Sequence, residues 1–237
     1  WLHQPYTDDP GTSGVQTFDE NRLLDIMNRS NTHGWQINTH AIGDKANTVV
    51  LDAIDKASLT ERDHRSRIEH SQHLLPSDVV RFADLGVIAS IQTIHMSSDR
   101  PWAIDRLGQE RIESGAYVWR DLLSAGVHIA NGTDVPVEPI NPLANFYAAV
   151  ARKTLKGTPD DGFEVHQRMT REEALKSMTI WNAFAAFEEK DTGSIQVGKH
   201  ADLTILDSDI MTITESDILS TEVAMTIVAG DVVYKAP

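Results

Sequence analysis

The chain has 237 residues, 41% hydrophobic and 24% charged, the proportions of a globular protein able to bury a core. Its 35 acidic against 21 basic side chains leave a net charge of −14, which repels nucleic-acid phosphates and anionic membranes, so neither is expected as a partner. There is no cysteine, no apolar run near the roughly 18 residues of a bilayer span and no basic-then-apolar leader, so the expectation is a soluble, cytoplasmic protein whose transition-metal ligands are histidine and carboxylate.

The chain opens on Trp1-Leu2 within a loop-like run, which reads as part of something longer. Residues 3 to 16 carry prolines, glycines and aspartates without periodicity and read as loop. Thr17-Phe18-Asp19-Glu20 has the form of a capping box, followed by a helix with Leu23, Leu24 and Met27 on one face that stops at His33-Gly34. Trp35 to His40 then reads as a strand, with Gln36, Asn38 and His40 on one face and His40 at its carboxyl end. Asp44 is placed to cap the next helix, which carries Val49, Val50, Ala53, Ile54 and Ala57.

The pattern of strand, polar tip and helix recurs. A strand ends at His70; Pro76-Ser77-Asp78 opens a helix closed by Gly86; the next strand ends at Gln92, with His95 just beyond. From His95 to about Trp119 the chain is polar and far longer than the usual two to six or so residues of such links, and reads either as a lid or as a solvent-facing excursion with one short helix. A helix over 118–125 leads to a strand ending at Asp134, and a helix over about 143–155 follows the Pro139 to Pro142 turn. Thr170-Arg171-Glu172-Glu173 is a second capping box, opening a helix with Ala174, Leu175, Met178, Trp181 and Ala185 on its apolar side. Beyond Glu188 the period changes to two, with strands at 202–206, 223–228 and 231–234 and a hairpin turn at Gly230-Asp231.

Recurring βα units point to a parallel α/β barrel, whose strand ends share one mouth whatever their separation in sequence. His40, His70 and Asp134 would meet there, and nitrogen with carboxylate donors suits zinc or a similar divalent ion. For His40 a loop histidine bonded to a carbonyl is the plainer alternative, and for His95 as well.

Four ordered strings carry a resemblance: His40-Ala41-Ile42-Gly43-Asp44, Arg67-Ile68-Glu69-His70, Gly132-Thr133-Asp134-Val135-Pro136-Val137, and the run from Gly193 to Leu203 with Gly198-Lys199-His200-Ala201-Asp202 inside it. They resemble motifs of the amidohydrolase superfamily, in the branch of predicted metal-dependent hydrolases related to N-substituted formamide deformylases. The resemblance implies the C-terminal half of a (β/α)8 TIM-type barrel over residues 1–188, strands five to eight, and part of a small β-sandwich domain over 189–237. It implies that His40, His70 and Asp134 bind metal and that Asp134 is also the catalytic acid-base. Ser90-Ile91-Gln92-Thr93-Ile94-His95 looks like the family's Ser-x-Gln-Pro-x-His, with Thr93 in place of proline; Gln92 and His95 would line the substrate pocket. The family's His-x-His pair and its lysine on strand four have no counterpart here, and His73 is either a substitute ligand or a polar loop residue.

The implied activity is hydrolysis of a non-peptide C–N bond in an amide, formamide or cyclic amide of small-molecule size. Two rivals remain at this point: a catalytically silent half-barrel that acts as an interaction module, and a deaminase of the same superfamily. Unpaired strand edges and apolar strand faces also predict self-association.

Overall fold

The computed structural model describes all 237 residues. They form two compact units, the first of residues 1–92 and 99–130, the second of residues 93–98 and 131–237.

The first unit holds α1 (Glu20–His33), β1 (Asn38–Ala41), α2 (Asp44–Lys56), β2 (Arg67–His70), α3 (Pro76–Asp84) and β3 (Ile88–Ile91), then the later part of α4 (Thr93–Leu107), α5 (Gln109–Gly115), α6 (Trp119–Ser124) and most of β4 (Ile129–Asn131). The strands lie in the order β1-β2-β3-β4, which is the sequential order of βα units in half of a (β/α)8 barrel. The pairs β1/β2 and β2/β3 are parallel, with His40 opposite Glu69 and Ala41 opposite His70. Helices cover one face of the sheet, burying Ile68 and Ile91 with Leu51, Ile54, Phe82 and Leu122 at 0–1% exposure. The other face of β1 and β2 is polar: Asn38 and His40 are exposed, and Arg67 Nε pairs with Glu69 Oε1 at 2.9 Å. Apolar side chains on both faces, expected for these strands, are therefore absent from β1, because every second residue there is polar.

Local details correct several sequence expectations. The cap of α1 is Asp19, whose side chain accepts from Arg22 N at 2.9 Å, and Thr17 lies outside the helix. Gly43, not Asp44, is the N-cap of α2; Asp44 is its first residue and its carboxylate accepts from His3 N (2.9 Å) and Lys45 N (2.7 Å). The stretch after His95 is no loop: the 15-residue α4 runs straight on from β3, with Pro101 inside it, and α5 follows after Gly108. His40 is the third residue of β1, and Ala41, 1% exposed, is the last.

The second unit begins with the first turn of α4 and continues through α7 (Pro142–Ala151), α8 (Arg171–Met178), α9 (Ile180–Ala185), β5 (Leu203–Leu206), β6 (Val223–Val228) and β7 (Asp231–Lys235). Residues 143 to 151 of α7 are all buried, and the helix stops at Ala151, short of the expected Leu155, where Arg152 turns left-handed at φ 52°. The Thr170 capping box is complete, its Glu173 carboxylate accepting from Thr170 N at 2.7 Å. The single helix expected to follow is broken at Thr179 (φ −129°, ψ −97°) into α8 and α9. β5, β6 and β7 make an antiparallel sheet, and the hairpin turn is Ala229-Gly230, both at positive φ (51° and 90°), one residue earlier than expected. Two residues of the last of the four strings are structural. Gly193, at φ 80°, packs so close to α9 that a Cβ would lie 2.8 Å from that of Ala183. Lys199 Nζ ties the preceding loop by donating to Glu189 O (2.5 Å), Ser194 Oγ (2.7 Å) and Thr192 O (2.9 Å).

Candidate active site

In the first unit His40 pairs with Glu69 and His70 with Ala41, so the two histidines stand one register step apart on neighbouring strands, with their ring centroids 4.5 Å apart. His70 ends its strand at φ +81° and Ser71 follows at φ +44°. Backbone in this region costs about 1–3 kcal/mol per non-glycine residue, which the surrounding structure must hold in place. Gln92, the residue after β3, is buried and uses its side chain for His70: its Oε1 lies 2.8 Å from His70 Nδ1. A carboxamide oxygen only accepts, so Nδ1 carries the proton and the ring lone pair falls on Nε2. That is the form in which a neutral imidazole ligates a metal, oriented by an outer hydrogen bond. The donor set of the first unit thus fits a divalent ion.

Gly43 and Asp44, from the same string as His40, have backbone roles. A Cβ on Gly43 would sit 2.1 Å from Trp1 O, so only glycine lets residue 1 cross there. His73 hydrogen-bonds through its backbone N to Ile42 O at 3.0 Å and sets its ring edge-to-face on Tyr117, 5.5 Å between centroids.

In the second unit, His95 and Asp134 approach with Nε2 to Oδ2 at 3.6 Å; His95 is buried and the Asp134 side chain is 35% exposed. Asp134 is also left-handed, at φ +59°, and Val137 N donates back to its carbonyl at 2.8 Å. Beneath the two lies a network of buried amides. Asn131 Oδ1 accepts from Thr93 N (3.2 Å) and Asn145 Nδ2 (2.7 Å), while Asn145 Oδ1 accepts from Thr93 Oγ1 (2.9 Å) and Ile94 N (2.8 Å). Asn145 Nδ2 also reaches Gly132 O (2.8 Å), and Asn182 bonds Asn131 N and O, each at 3.0 Å. The first turn of α4, carrying His95, and the loop carrying Asp134 are thereby fastened to the same two asparagines. Sequence reasoning passed over these residues; the signal was Asn145, a lone carboxamide inside an otherwise apolar helix.

Known proteins match this chain over most of its length. The profile of the "Amidohydrolase family" matches residues 1–234. The protein LONG AFTER FAR-RED 3 of Arabidopsis thaliana is 35% identical over 235 residues, 98% of this chain and 40% of that protein. The N-substituted formamide deformylase of Arthrobacter pascens is 27% identical over 224 residues, 94% of this chain and 41% of its own. An uncharacterized metal-dependent hydrolase of Pyrococcus horikoshii OT3, known by crystal structure, superposes with a TM-score of 0.79 at 32% identity, covering 90% of this chain and 42% of that one. The chain spans about two fifths of the length of the curated relatives it matches.

Proposed function

The chain belongs to the amidohydrolase family, and from that premise we propose that it carries the metal ligands His40, His70 and Asp134 of a hydrolase that cleaves a non-peptide C–N bond in a small amide, formamide or cyclic amide. The observation that carries the reading is the His70–Gln92 hydrogen bond beside the His40 ring, which presets an imidazole for ligation. Nitrogen and carboxylate donors favour zinc among the divalent ions. Bound there, such an ion supplies a water acidified to a pKa of about 7 and a polarised scissile carbonyl. Asp134, part exposed on its loop, takes a proton from water and returns it to the leaving nitrogen. Gln92 orients His70, and His95, whose Nε2 is 3.6 Å from Asp134 Oδ2, borders the substrate.

We place the barrel portion at residues 1–188 and the small β domain at 189–237. The cysteine-free composition supports a cytoplasmic location, and no helix is long and apolar enough to cross a membrane. Self-association is supported by β7, exposed along its whole length with Val232 and Val233 at 57% and 61%. Calorimetric titration with zinc, paired with formate release from N-phenylformamide, tests the function. Saturable zinc binding that His70→Ala abolishes is the expected result; zinc binding indifferent to His40→Ala and His70→Ala would overturn it. Gel filtration at micromolar concentration tests the association.

A further inference from the structure

Asn47 lies near the start of α2 and is wholly buried, at 0% exposure. Asparagine is a weak helix former, and a buried carboxamide needs partners at both its ends. Here one end is served far better than the other. Nδ2 lies within hydrogen-bond distance of four carbonyl oxygens: Gly43 O at 2.9 Å, Ala41 O at 3.2 Å, and Ile42 O and His73 O at 3.3 Å each. Oδ1 is sealed from solvent and meets no partner. A leucine of similar volume would avoid that cost, so packing does not account for an asparagine at this position. The donating nitrogen does.

The four carbonyls belong to the two segments that carry the histidines. Ala41 ends β1 directly after His40, Ile42 and Gly43 form the turn into α2, and His73 follows the end of β2 at His70. The ladder between the strands stops at the pair Ala41 and His70, where the chain leaves extended geometry, at φ +81° for His70 and +44° for Ser71. Past that point the segments are joined by Ser71 N donating to Ala41 O (3.2 Å) and His73 N donating to Ile42 O (3.0 Å). Asn47 Nδ2 bonds both of these carbonyls from the helix and reaches across to His73 O, so one amide group spans the seam. A metal site tolerates misplacement of its ligands by only about 0.5 Å, and this seam begins next to both histidines.

We propose that Asn47 is a positioning residue for the metal centre: its carboxamide nitrogen gathers the carbonyls of Ala41, Ile42, Gly43 and His73 and so holds the ends of β1 and β2, with His40 and His70 on them, at ligating separation. The proposal rests on the metal reading above, and Asn47 acts only through the two histidines. Strand register sets which residues stand together; Asn47 keeps the strand ends from parting.

Two measurements on the full chain test it. With a chelator present, so that no metal takes part, the nuclear Overhauser effect between the His40 and His70 rings, 4.5 Å apart between centroids, reports their spacing. Zinc titration then reports the affinity. Asn47→Leu, which keeps the volume and removes the donor, should weaken or abolish the ring contact and raise the zinc Kd about 10- to 100-fold, the range for loss of an outer hydrogen bond at a metal site. Met27→Ala, at a core position of α1 with no part in the seam, should lower stability while leaving ring contact and affinity as in the parent. Should Asn47→Leu fail to fold, Asn47→Ser replaces it: the shorter hydroxyl can bond Gly43 O one turn back without reaching His73 O, and the same two losses are expected. An Asn47 variant that keeps the ring contact or keeps the affinity would overturn the proposal, as would an equal loss of affinity in Met27→Ala. If the parent binds no zinc, the metal reading fails, and the ring contact by itself still decides whether Asn47 holds the strand ends. Normal zinc binding in both the parent and Asn47→Leu removes the clamp and leaves the metal reading standing.

Discussion

The two units hold their site residues by different means. In the first, His40 and His70 stand at the ends of adjacent parallel strands, one register step apart, and a side-chain hydrogen bond between His70 and Gln92 orients the second ring. In the second, Asp134 stands on an irregular loop at positive φ, and that loop is tied down by the buried carboxamides of Asn131, just before it, and Asn145, in the following helix. A pair of metal-type donors can rest on sheet geometry because strand ends are rigid. The carboxylate we propose as the acid-base sits on a part-exposed loop, and the buried amides bonded to that loop supply the rigidity that it lacks.

The contrast breaks most completely at Asn145. It is wholly buried and bonds Thr93, Ile94, Asn131 and Gly132. Asn145→Ala leaves the buried Ile94 N without its partner, at about 1–3 kcal/mol, and removes the bonds to Thr93, Asn131 and Gly132 at about 0.5–1.5 kcal/mol each, so a total loss of about 3–5 kcal/mol is expected in urea unfolding. A loss below about 1 kcal/mol would mean that the loop is held by something else.

Protons separate the units next. In the first unit burial lowers the pKa of His64 and takes that of His73 to about 4. His64 is matched as a neutral ring, accepting from Ser66 N at Nδ1 (3.0 Å) and donating from Nε2 to Leu85 O (2.8 Å), so a second proton would face a donor. Both folded-state values lie below the unfolded value of about 6.5, so the unfolded chain takes up protons first as pH falls. The stability these rings contribute is complete above about pH 6.5 and is lost as pH drops toward 4. At roughly 1.4 kcal/mol per unit of lowering, His73 alone accounts for a loss on the order of 2–3 kcal/mol between pH 7 and pH 4. Chemical denaturation at a series of pH values should show His73→Phe with a correspondingly flatter profile; parallel profiles for the two chains would refute it.

Gln92 sharpens the contrast from the metal side. Gln92→Leu removes the acceptor that fixes the His70 tautomer while keeping the volume, and loss of such an outer hydrogen bond typically weakens metal binding about 10- to 100-fold. Zinc titration should show that drop with little change in the second unit's amide exchange. An unchanged affinity would show that strand register alone orients His70.

How much of this was legible in the sequence follows the same division. Strands ending in His40, His70 and Gln92 announce themselves by local alternation and by Gly and Pro punctuation, and the structure puts their ends within one residue of the expected positions, although the first begins at Asn38 and not at Trp35. The capping box at Thr170 was legible because both partners lie within four residues. Where the deciding partner is distant, local reading went astray. Residues 93–115 carry Ser97, Ser98, Asp99, Arg100 and Pro101 in succession and no clean apolar stripe, yet they form α4 and α5. The first turn of α4 is secured by Asn131 and Asn145, 38 and 51 residues further along. The small slips have local causes: Asp19 outcompetes Thr17 as a cap because it directly precedes the first helical residue, and Ala229 accepts positive φ although glycine was the expected residue for it.

Thr93 is the finest test of the contrast, because it stands where the resembling motif has proline. It is the first residue of α4, a position proline tolerates since its N–H has no partner within the helix. Here that N–H is used, donating to Asn131 Oδ1, and the hydroxyl donates to Asn145 O at 2.6 Å as well as to Asn145 Oδ1. Both asparagine oxygens keep another donor when Thr93 is changed: Asn145 Nδ2 for Asn131 Oδ1, and Ile94 N for Asn145 Oδ1. The cost of a substitution is therefore that of lost hydrogen bonds and not of orphaned groups. Thr93→Val, which keeps the N–H, should lose about 1 kcal/mol, and Thr93→Pro, which loses both donors but fits the backbone, about 1–2 kcal/mol. Equilibrium unfolding of the two variants beside the parent measures the difference. If Thr93→Pro proved more stable than Thr93→Val, the backbone preference of the helix start would outweigh the amide network, and His95 would owe its position to the helix and not to the asparagines.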